Sequence, residues 1–177
     1  DYGVRSHEWA YGDVEKAIIA EPILETSDGG PLLDAKLHVF DGVVRLIQIG
    51  LRRRDEKTGL LHAAGTVYLN PDWSVSEVRR AKDNPAVAPE KPVFFDEIHG
   101  IAETLGAGFD YLRADFLLMG DTFRIGETTL YTSSGMKPFA SKEVDRLFGD
   151  FWTLPSMDDI RSGALHARRT AVQNAQS

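Results

Sequence analysis

Alternating apolar and polar positions predict a first β-hairpin over residues 32–51, LLDAKLHVF-DG-VVRLIQIGL. Asp41 and Gly42 suit a two-residue type I′ turn, because both positions of that turn need a positive φ. The turn predicts three cross-strand pairs: Phe40 with Val43, His38 with Arg45 and Lys36 with Ile47. Strand alternation places four side chains on one face: Asp34, Lys36, His38 and Phe40.

A second hairpin is predicted over residues 111–131, with a turn around Gly120. In its first strand, one face carries Tyr111, Arg113, Asp115 and Leu117. In its second strand, one face carries Phe123, Ile125, Glu127, Thr129 and Tyr131. An odd loop centred on Asp121 sets Asp115 directly opposite Glu127, whereas an even loop sets Asp115 against Gly126. The even loop also turns Glu127 to the other face.

In the odd register the two carboxylates lie about 5 Å apart at their Cβ atoms. Because like charges repel at that distance, a divalent cation between them is one interpretation, and Mg²⁺ is suited to such oxygen ligands. Arg113, on the same face as Asp115, could hold a transferring phosphoryl or carboxylate group. The alternative is an exposed hairpin with scattered charges, and the spacing alone leaves both interpretations open.

Other periodic segments predict further elements. The apolar run of residues 17–24, interrupted by Glu21 and Pro22, predicts a buried strand. Residues 65–69 predict a short strand after a loop over residues 55–64. Helical spacing predicts a helix over residues 92–105 and a short one over residues 142–148.

Composition narrows the function classes. The chain has 177 residues, a net charge of −7 and no cysteine. The acidic balance argues against a general nucleic-acid binder, and the lack of cysteine excludes disulfides and thiolate chemistry. No apolar run reaches the roughly 18 residues of a membrane span, so a cytoplasmic protein is expected. The segment Arg52-Arg53-Arg54 is typical of a solvated loop, but at a strand end in an acidic protein it is also a local site for an anionic phosphate.

The order of these segments resembles the ATP-grasp fold, and more closely its TupA-like family. The matching segments are EWAYGDVEKAIIAEPIL, LLDAKLHVFDGVVRLIQIG with Arg53, FDYLRADFLL, FRIGETTLYTSSG and FASKEVDRLFG. They cover about residues 8–150. The resemblance implies an α+β fold, with an antiparallel sheet flanked by helices that forms the C-terminal subdomain of an ATP-grasp domain. It also favours the odd hairpin register.

The resemblance assigns three groups of residues. The nucleotide-binding residues are Glu21, Ile23 and Lys36. The magnesium ligands are Asp115, Glu127 and Thr129, of which Thr129 stands where many ATP-grasp enzymes have asparagine. The catalytic residues near the transferring phosphate are Arg53 and Arg113. The implied cofactors are ATP and Mg²⁺.

The implied activity is an ATP- and Mg²⁺-dependent carboxylate–amine or carboxylate–nucleophile ligase. It would act through an acyl phosphate on a small-molecule or polymer carboxylate, in the synthesis of cell-envelope polysaccharides or peptide polymers. Two alternatives stay open: a glycosyl- or phosphoryl-transferase of the same pathway, and a non-catalytic ATP-grasp-derived binding module.

The expected domain covers residues 1–155, without the N-terminal lid subdomain of the fold, and is followed by a helical tail over residues 156–177. Without a lid subdomain, apolar surface would remain that a second copy of the chain could cover.

Overall fold

The computed structural model describes residues 15, 17–22, 32–55, 57–59, 61–83 and 85–162. Its centre is a five-stranded sheet in the order β3-β2-β1-β4-β5, in which every neighbouring pair is antiparallel. The strands are β1 Leu33–Phe40, β2 Val43–Arg54, β3 Leu61–Leu69, β4 Tyr111–Met119 and β5 Thr122–Thr129. The helices are α1 Phe95–Gly106, α2 Lys142–Gly149 and α3 Met157–Ser162, with a 3₁₀ turn at Thr132–Gly135. This α+β architecture confirms the predicted fold class.

One face of the sheet forms the main apolar core under helix α1. Alternate residues of β1 and β4 point into it, including Leu37, Val39 and Phe116, and α1 covers them with Phe95 and Ile98. These side chains are fully or almost fully buried, so the core holds the strands that carry the site in a fixed arrangement.

Helix α1 approaches β1 closely at its last residue, Gly106. A Cβ atom added there would lie 2.4 Å from Cγ1 of Val39, which is closer than real contacts allow. Glycine is therefore required at this position for packing, in addition to its role as a helix end. The helix begins at Phe95 rather than at the predicted Pro92, because residues 93–94 form a turn in which the Phe95 amide donates to the Pro92 carbonyl.

The first hairpin has the predicted turn but a different register. Asp41 and Gly42 have φ angles of 49° and 77°, and Phe40 pairs with Val43 as predicted. A β-bulge follows, at which Arg45 is the extra residue. Beyond it the predicted pairs are wrong by one residue: His38 lies opposite Leu46, and Lys36 lies opposite Gln48.

Two other predictions about strands need correction. The described part of the apolar run, residues 17–22, is not a strand, and Ile18 and Ile19 are 100% and 82% exposed. An apolar run is buried only where another element covers it, and no described element covers this one. Strand β3 starts at Leu61 instead of residue 65, since its pairing with β2 continues past a bulge at Ala64.

The opposite face of the sheet is divided in two. At one end is a second apolar cluster, which includes Phe40, Leu46, Tyr111, Val78 and Phe148. Of these residues, Phe148 belongs to helix α2. Ser141 caps that helix by accepting a hydrogen bond from the Val144 amide. At the other end the face carries charged side chains, and this end holds the candidate site.

Candidate active site

A row of directly opposed residues crosses all five strands on the charged face. In strand order from β3 to β5, the row consists of Tyr68, Gln48, Lys36, Asp115 and Glu127. Directly opposed residues on one face have their Cβ atoms about 5 Å apart, so each side chain reaches its neighbour. The pairing therefore brings a lysine and two carboxylates from three strands into contact.

A bulge in β5 puts Glu127 into this row. The turn between β4 and β5 has two residues, Gly120 and Asp121, since Met119 pairs with Thr122. This is the even loop, so the odd register was wrong near the turn. Gly126 is an extra residue, however, and beyond it Asp115 pairs with Glu127. The bulge restores the pairing that an odd loop would have produced.

The bulge also changes the face of the sheet on which the side chains of β5 lie, compared with the prediction. Phe123 packs with the main core under α1, whereas Glu127 and Thr129 lie on the charged face. The prediction that all three share one face was therefore wrong, because an extra residue reverses the alternation of side chains.

Asp115 is the buried centre of the site, with only 3% of its surface exposed. Its Oδ2 atom accepts a hydrogen bond from Lys36 Nζ at 2.5 Å. Arg113 donates to the same carboxylate through Nε at 2.6 Å and through Nη2 at 2.8 Å. A buried carboxylate is stable when it is paired in this way, and two cations neutralise this one.

Arg113 joins the three predicted magnesium ligands. Its Nη2 atom lies 2.8 Å from Asp115 Oδ2, 3.0 Å from Glu127 Oε1 and 3.1 Å from Thr129 Oγ1. Burial alone would lower the pKa of Arg113, but its hydrogen bonds and its charge interaction with Asp115 outweigh burial and raise that pKa. The guanidinium is therefore a permanent cation between the oxygens.

Asp34 extends the charged group toward β2. Its carboxylate lies 3.1 Å from Lys36 Nζ and 3.0 Å from Arg52 Nη2. Arg52 was missed as a site residue, although it belongs to the noted arginine triplet. Its orientation depends on the bulge beside Leu51, which the sequence pattern does not reveal.

Arg53, the predicted catalytic residue of the triplet, lies in β2 opposite His62. Its side chain is outside the described part of the chain, as is all of Ile23. Glu21 is exposed, and no hydrogen bond or ion pair joins it to the charged group that the structure describes. The assignments of Glu21, Ile23 and Arg53 therefore stay predictions, whereas Lys36, Arg113, Asp115, Glu127 and Thr129 form one contiguous group.

His38 forms a buried polar chain beside the carboxylates. It is 2% exposed, and its Nδ1 atom is 2.9 Å from the hydroxyl of Tyr111, which is in turn hydrogen-bonded to Thr132 Oγ1. Burial and the nearby positive charge of Arg113 lower the pKa of His38 to about 3, so the ring is neutral at pH 7. Burial raises the pKa of Tyr111 to about 12. Strand alternation alone does not predict this burial, because Phe148, whose ring packs against His38, belongs to a helix far along the chain.

A cavity of about 390 Å³ lies next to these hydrogen-bonded side chains, and Tyr111 and Thr132 line it. Its lining includes Tyr111, Thr132, Trp152, Arg80, Lys137 and Asp145. Tyr111 stands two residues before Arg113 on the same face of β4, whereas Arg113 and the two carboxylates are not among the residues that line the cavity. Among the residues that the structure describes, no ion pair joins Arg80 or Lys137 to a carboxylate. The cavity thus combines aromatic walls with two cationic residues and one acid, Asp145.

The donor set fits a magnesium ion. Two carboxylates and one hydroxyl converge on a single cationic nitrogen, and all of their donor atoms are oxygens. Mg²⁺ in nucleotide sites is held by one or two protein carboxylates, with phosphates and water as its other ligands. No larger cluster of acids and histidines suited to a metal occurs in the described ranges. Two carboxylates are enough for an ion that the phosphates of a nucleotide also hold.

The family model described as TupA-like ATPgrasp matches residues 1–153. Because this match covers most of the 177 residues, the chain belongs to the TupA-like ATP-grasp family, which confirms the resemblance. Comparison with curated proteins and with solved structures found no match. Among the helices described, none is long and apolar enough to cross a membrane.

Proposed function

We propose that this domain binds ATP with Mg²⁺ and serves an ATP-grasp ligase that joins a carboxylate to an amine or another nucleophile. The observation that carries this proposal is the convergence of Asp115, Glu127 and Thr129 on one cation position. Lys36 supports it from the neighbouring strand, because its ammonium group contacts Asp115 and lies where a phosphate could approach. Membership of the family supports the same conclusion at the level of the fold.

The bound magnesium nucleotide would supply the phosphoryl group that converts a carboxylate into an acyl phosphate. Asp115 and Glu127 would hold the ion through their oxygens, with Thr129 as a neutral ligand. Lys36 would bind phosphate oxygens, and Glu21 and Ile23 would contact the adenine. The positive charges of Arg113 and Arg53 would stabilise negative charge on the transferring group.

The cavity beside Tyr111 is the proposed place for the carboxylate substrate or the attacking nucleophile. It opens from the same strand face that carries Arg113, so a ligand in it could present a reacting group to the carboxylate site. Arg80 and Lys137 would attract an anionic part of that ligand, while Tyr111 and Trp152 would contact its apolar part. The setting proposed from the family is the synthesis of cell-envelope polymers.

Calorimetric titration with a non-hydrolysable ATP analogue and Mg²⁺ tests the nucleotide site. The wild-type chain should bind only when Mg²⁺ is present, and Glu127→Gln should lose this binding. Arg124→Gln is a control, since Arg124 lies on the same strand, is exposed and, within the described ranges, has a single side-chain hydrogen bond, to the neighbouring Phe123 carbonyl. Metal-independent binding, or equal binding by Glu127→Gln, would contradict the proposed site.

The reaction class has its own test. Hydroxylamine traps acyl phosphates as hydroxamates, so a ligase should release ADP and form hydroxamate when ATP, a carboxylate and hydroxylamine are supplied together. Consumption of a nucleotide-sugar donor without ATP turnover would instead favour a glycosyltransferase. Nucleotide binding without turnover of either donor would favour a binding module.

A further inference from the structure

We infer that the guanidinium of Arg113 occupies the position of the divalent cation, so that the arginine and the metal exclude each other. This inference rests on the proposed metal site and adds a role for Arg113 that precedes any chemistry. In this state the arginine holds the carboxylates together, and metal binding must move it away. The consequence is an ordered exchange of one cation for another.

The distances support a shared position. Three oxygens, from Asp115, Glu127 and Thr129, lie within 3.1 Å of the single atom Nη2 of Arg113. A magnesium ion needs its oxygens at about 2.0–2.1 Å, so the same oxygens would have to close in by roughly 1 Å around it. A guanidinium nitrogen cannot remain at the centre of that contracted group. The side chain of Arg113 must therefore leave when the ion enters.

Lys36 does not have this conflict. Its Nζ atom contacts Asp34 and Asp115, and no described contact joins it to Glu127 or Thr129. It lies on the β1 side of Asp115, whereas Arg113 lies between Asp115 and the β5 residues. Only the arginine thus stands among all three proposed ligands in the described part of the site.

The charge balance explains why the position is filled. Six charged side chains form the group, three acidic and three basic: Asp34, Asp115, Glu127, Lys36, Arg52 and Arg113. Without Arg113, the buried Asp115 would face Glu127 across the ladder with less positive charge to compensate. Arg113 is itself well covered, with 11% of its side chain exposed, so its interaction with the carboxylates is only weakly screened by water.

Exchange would link two events. A guanidinium released from the carboxylates could turn toward Tyr111, which lies two residues away on the same strand face and lines the cavity. The metal would therefore both enter its site and free a positive charge for a substrate. Because binding effects are reciprocal, anything that draws Arg113 toward the cavity should also strengthen metal binding.

Metal binding to an arginine variant tests the exchange. Mn²⁺ is titrated without nucleotide, and the unbound ion is measured by electron paramagnetic resonance. Arg113→Gln, which removes the competing charge, should bind Mn²⁺ on the order of tenfold more tightly than the wild type. Arg124→Gln is the control: it removes an exposed cation of β5 that lies outside the charged group and donates to the Phe123 carbonyl, and its Mn²⁺ affinity should stay within about twofold of the wild type.

The wild-type protein supplies a second readout that needs no variant. The Nε–H group of Arg113 donates to Asp115 at 2.6 Å, so its NMR signal should be protected from solvent exchange. Addition of Mg²⁺ should remove this protection and shift the signal, while the core amides stay unchanged.

Three results would overturn the inference in distinguishable ways. If the wild type binds Mn²⁺ and Arg113→Gln binds it equally or more weakly, the exchange is wrong but the metal site stands. If neither protein binds Mn²⁺, with or without the ATP analogue, the proposed metal site is wrong as well. Retained protection of Nε–H at saturating Mg²⁺ also contradicts the exchange, even if Arg113→Gln fails to fold.

Discussion

Asp115 and Glu127 lie directly opposite each other across β4 and β5 because one extra residue, Gly126, bulges out of β5 between the turn and the pair. A regular ladder from the two-residue turn would have placed Gly126 opposite Asp115 and sent Glu127 to the core face. In a strand that contains Gly126, the bulge thus keeps the two proposed metal ligands opposite each other.

Deletion of Gly126 should preserve the site. Without this residue, a regular ladder from the same turn places Glu127 opposite Asp115 and needs no bulge. Mn²⁺ affinity, measured by titration, should therefore stay within about threefold of the wild type, as expected when the ligand geometry is kept. Insertion of a second glycine after Gly126 is the counterpart, because it shifts Glu127 out of the row. Equal loss of affinity in both variants would show that the bulge itself shapes the site.

The two carboxylates should differ in their effect on stability. Asp115→Asn leaves Lys36 and Arg113 beside a neutral group in a buried place, so it should lower the free energy of unfolding by about 3–5 kcal/mol. Glu127→Gln alters a side chain that is 62% exposed and should change that free energy by less than about 1 kcal/mol. Denaturant unfolding measures both. A large loss of stability in Glu127→Gln would mean that this residue has a structural role.

His38 should make the fold sensitive to acid. Burial lowers the pKa of His38 from the usual 6.5, which applies to the unfolded chain, to about 3 in the folded protein. As the pH falls, the unfolded chain therefore binds a proton at His38 before the folded protein does. The contribution of His38 is present above pH 6.5 and is lost at about 1.4 kcal/mol per pH unit between those values. Between pH 7 and pH 5, the wild type should lose roughly 2 kcal/mol more stability than His38→Gln. Parallel pH profiles for the two proteins would contradict a buried neutral histidine.

Gly106→Ala should cost less stability when Val39 is made smaller. It places a Cβ against the Val39 side chain and should cost about 1–3 kcal/mol through overpacking. In a Val39→Ala background the 2.4 Å contact with Cγ1 is removed, but the Cβ of residue 39 still lies 2.8 Å from the added atom, so the same change should cost less without becoming stabilising. Thermal unfolding of the four proteins in this cycle measures the difference in cost. The same cost in both backgrounds would rule out the packing explanation.

Much of the framework followed from local patterns. Alternation, helical spacing and turn chemistry predicted the Asp41-Gly42 turn, the two hairpins, a helix up to residue 105 and the shared face of Arg113 and Asp115. These signals lie within a few residues of each other, where the periods of strands and helices are readable.

The bulges could not be read in the same way. Each inserts one residue that leaves the pattern regular on both sides, so the pairing of Lys36 and the face of Arg52 shifted without any visible signal. The environment of His38 depends on Phe148, which comes from a distant helix. The convergence on Arg113 depends on how three side chains are oriented together, which strand parity alone does not determine.

The position of a metal in crystals grown with Mn²⁺ and a non-hydrolysable ATP analogue tests the proposed site most directly. Anomalous scattering locates manganese without reference to the rest of the electron density. A peak is expected between the carboxylates of Asp115 and Glu127, at about 2.1 Å from their oxygens, with Arg113 turned away. Nucleotide bound with no peak there, and Arg113 still between the two acids, would contradict the proposed site.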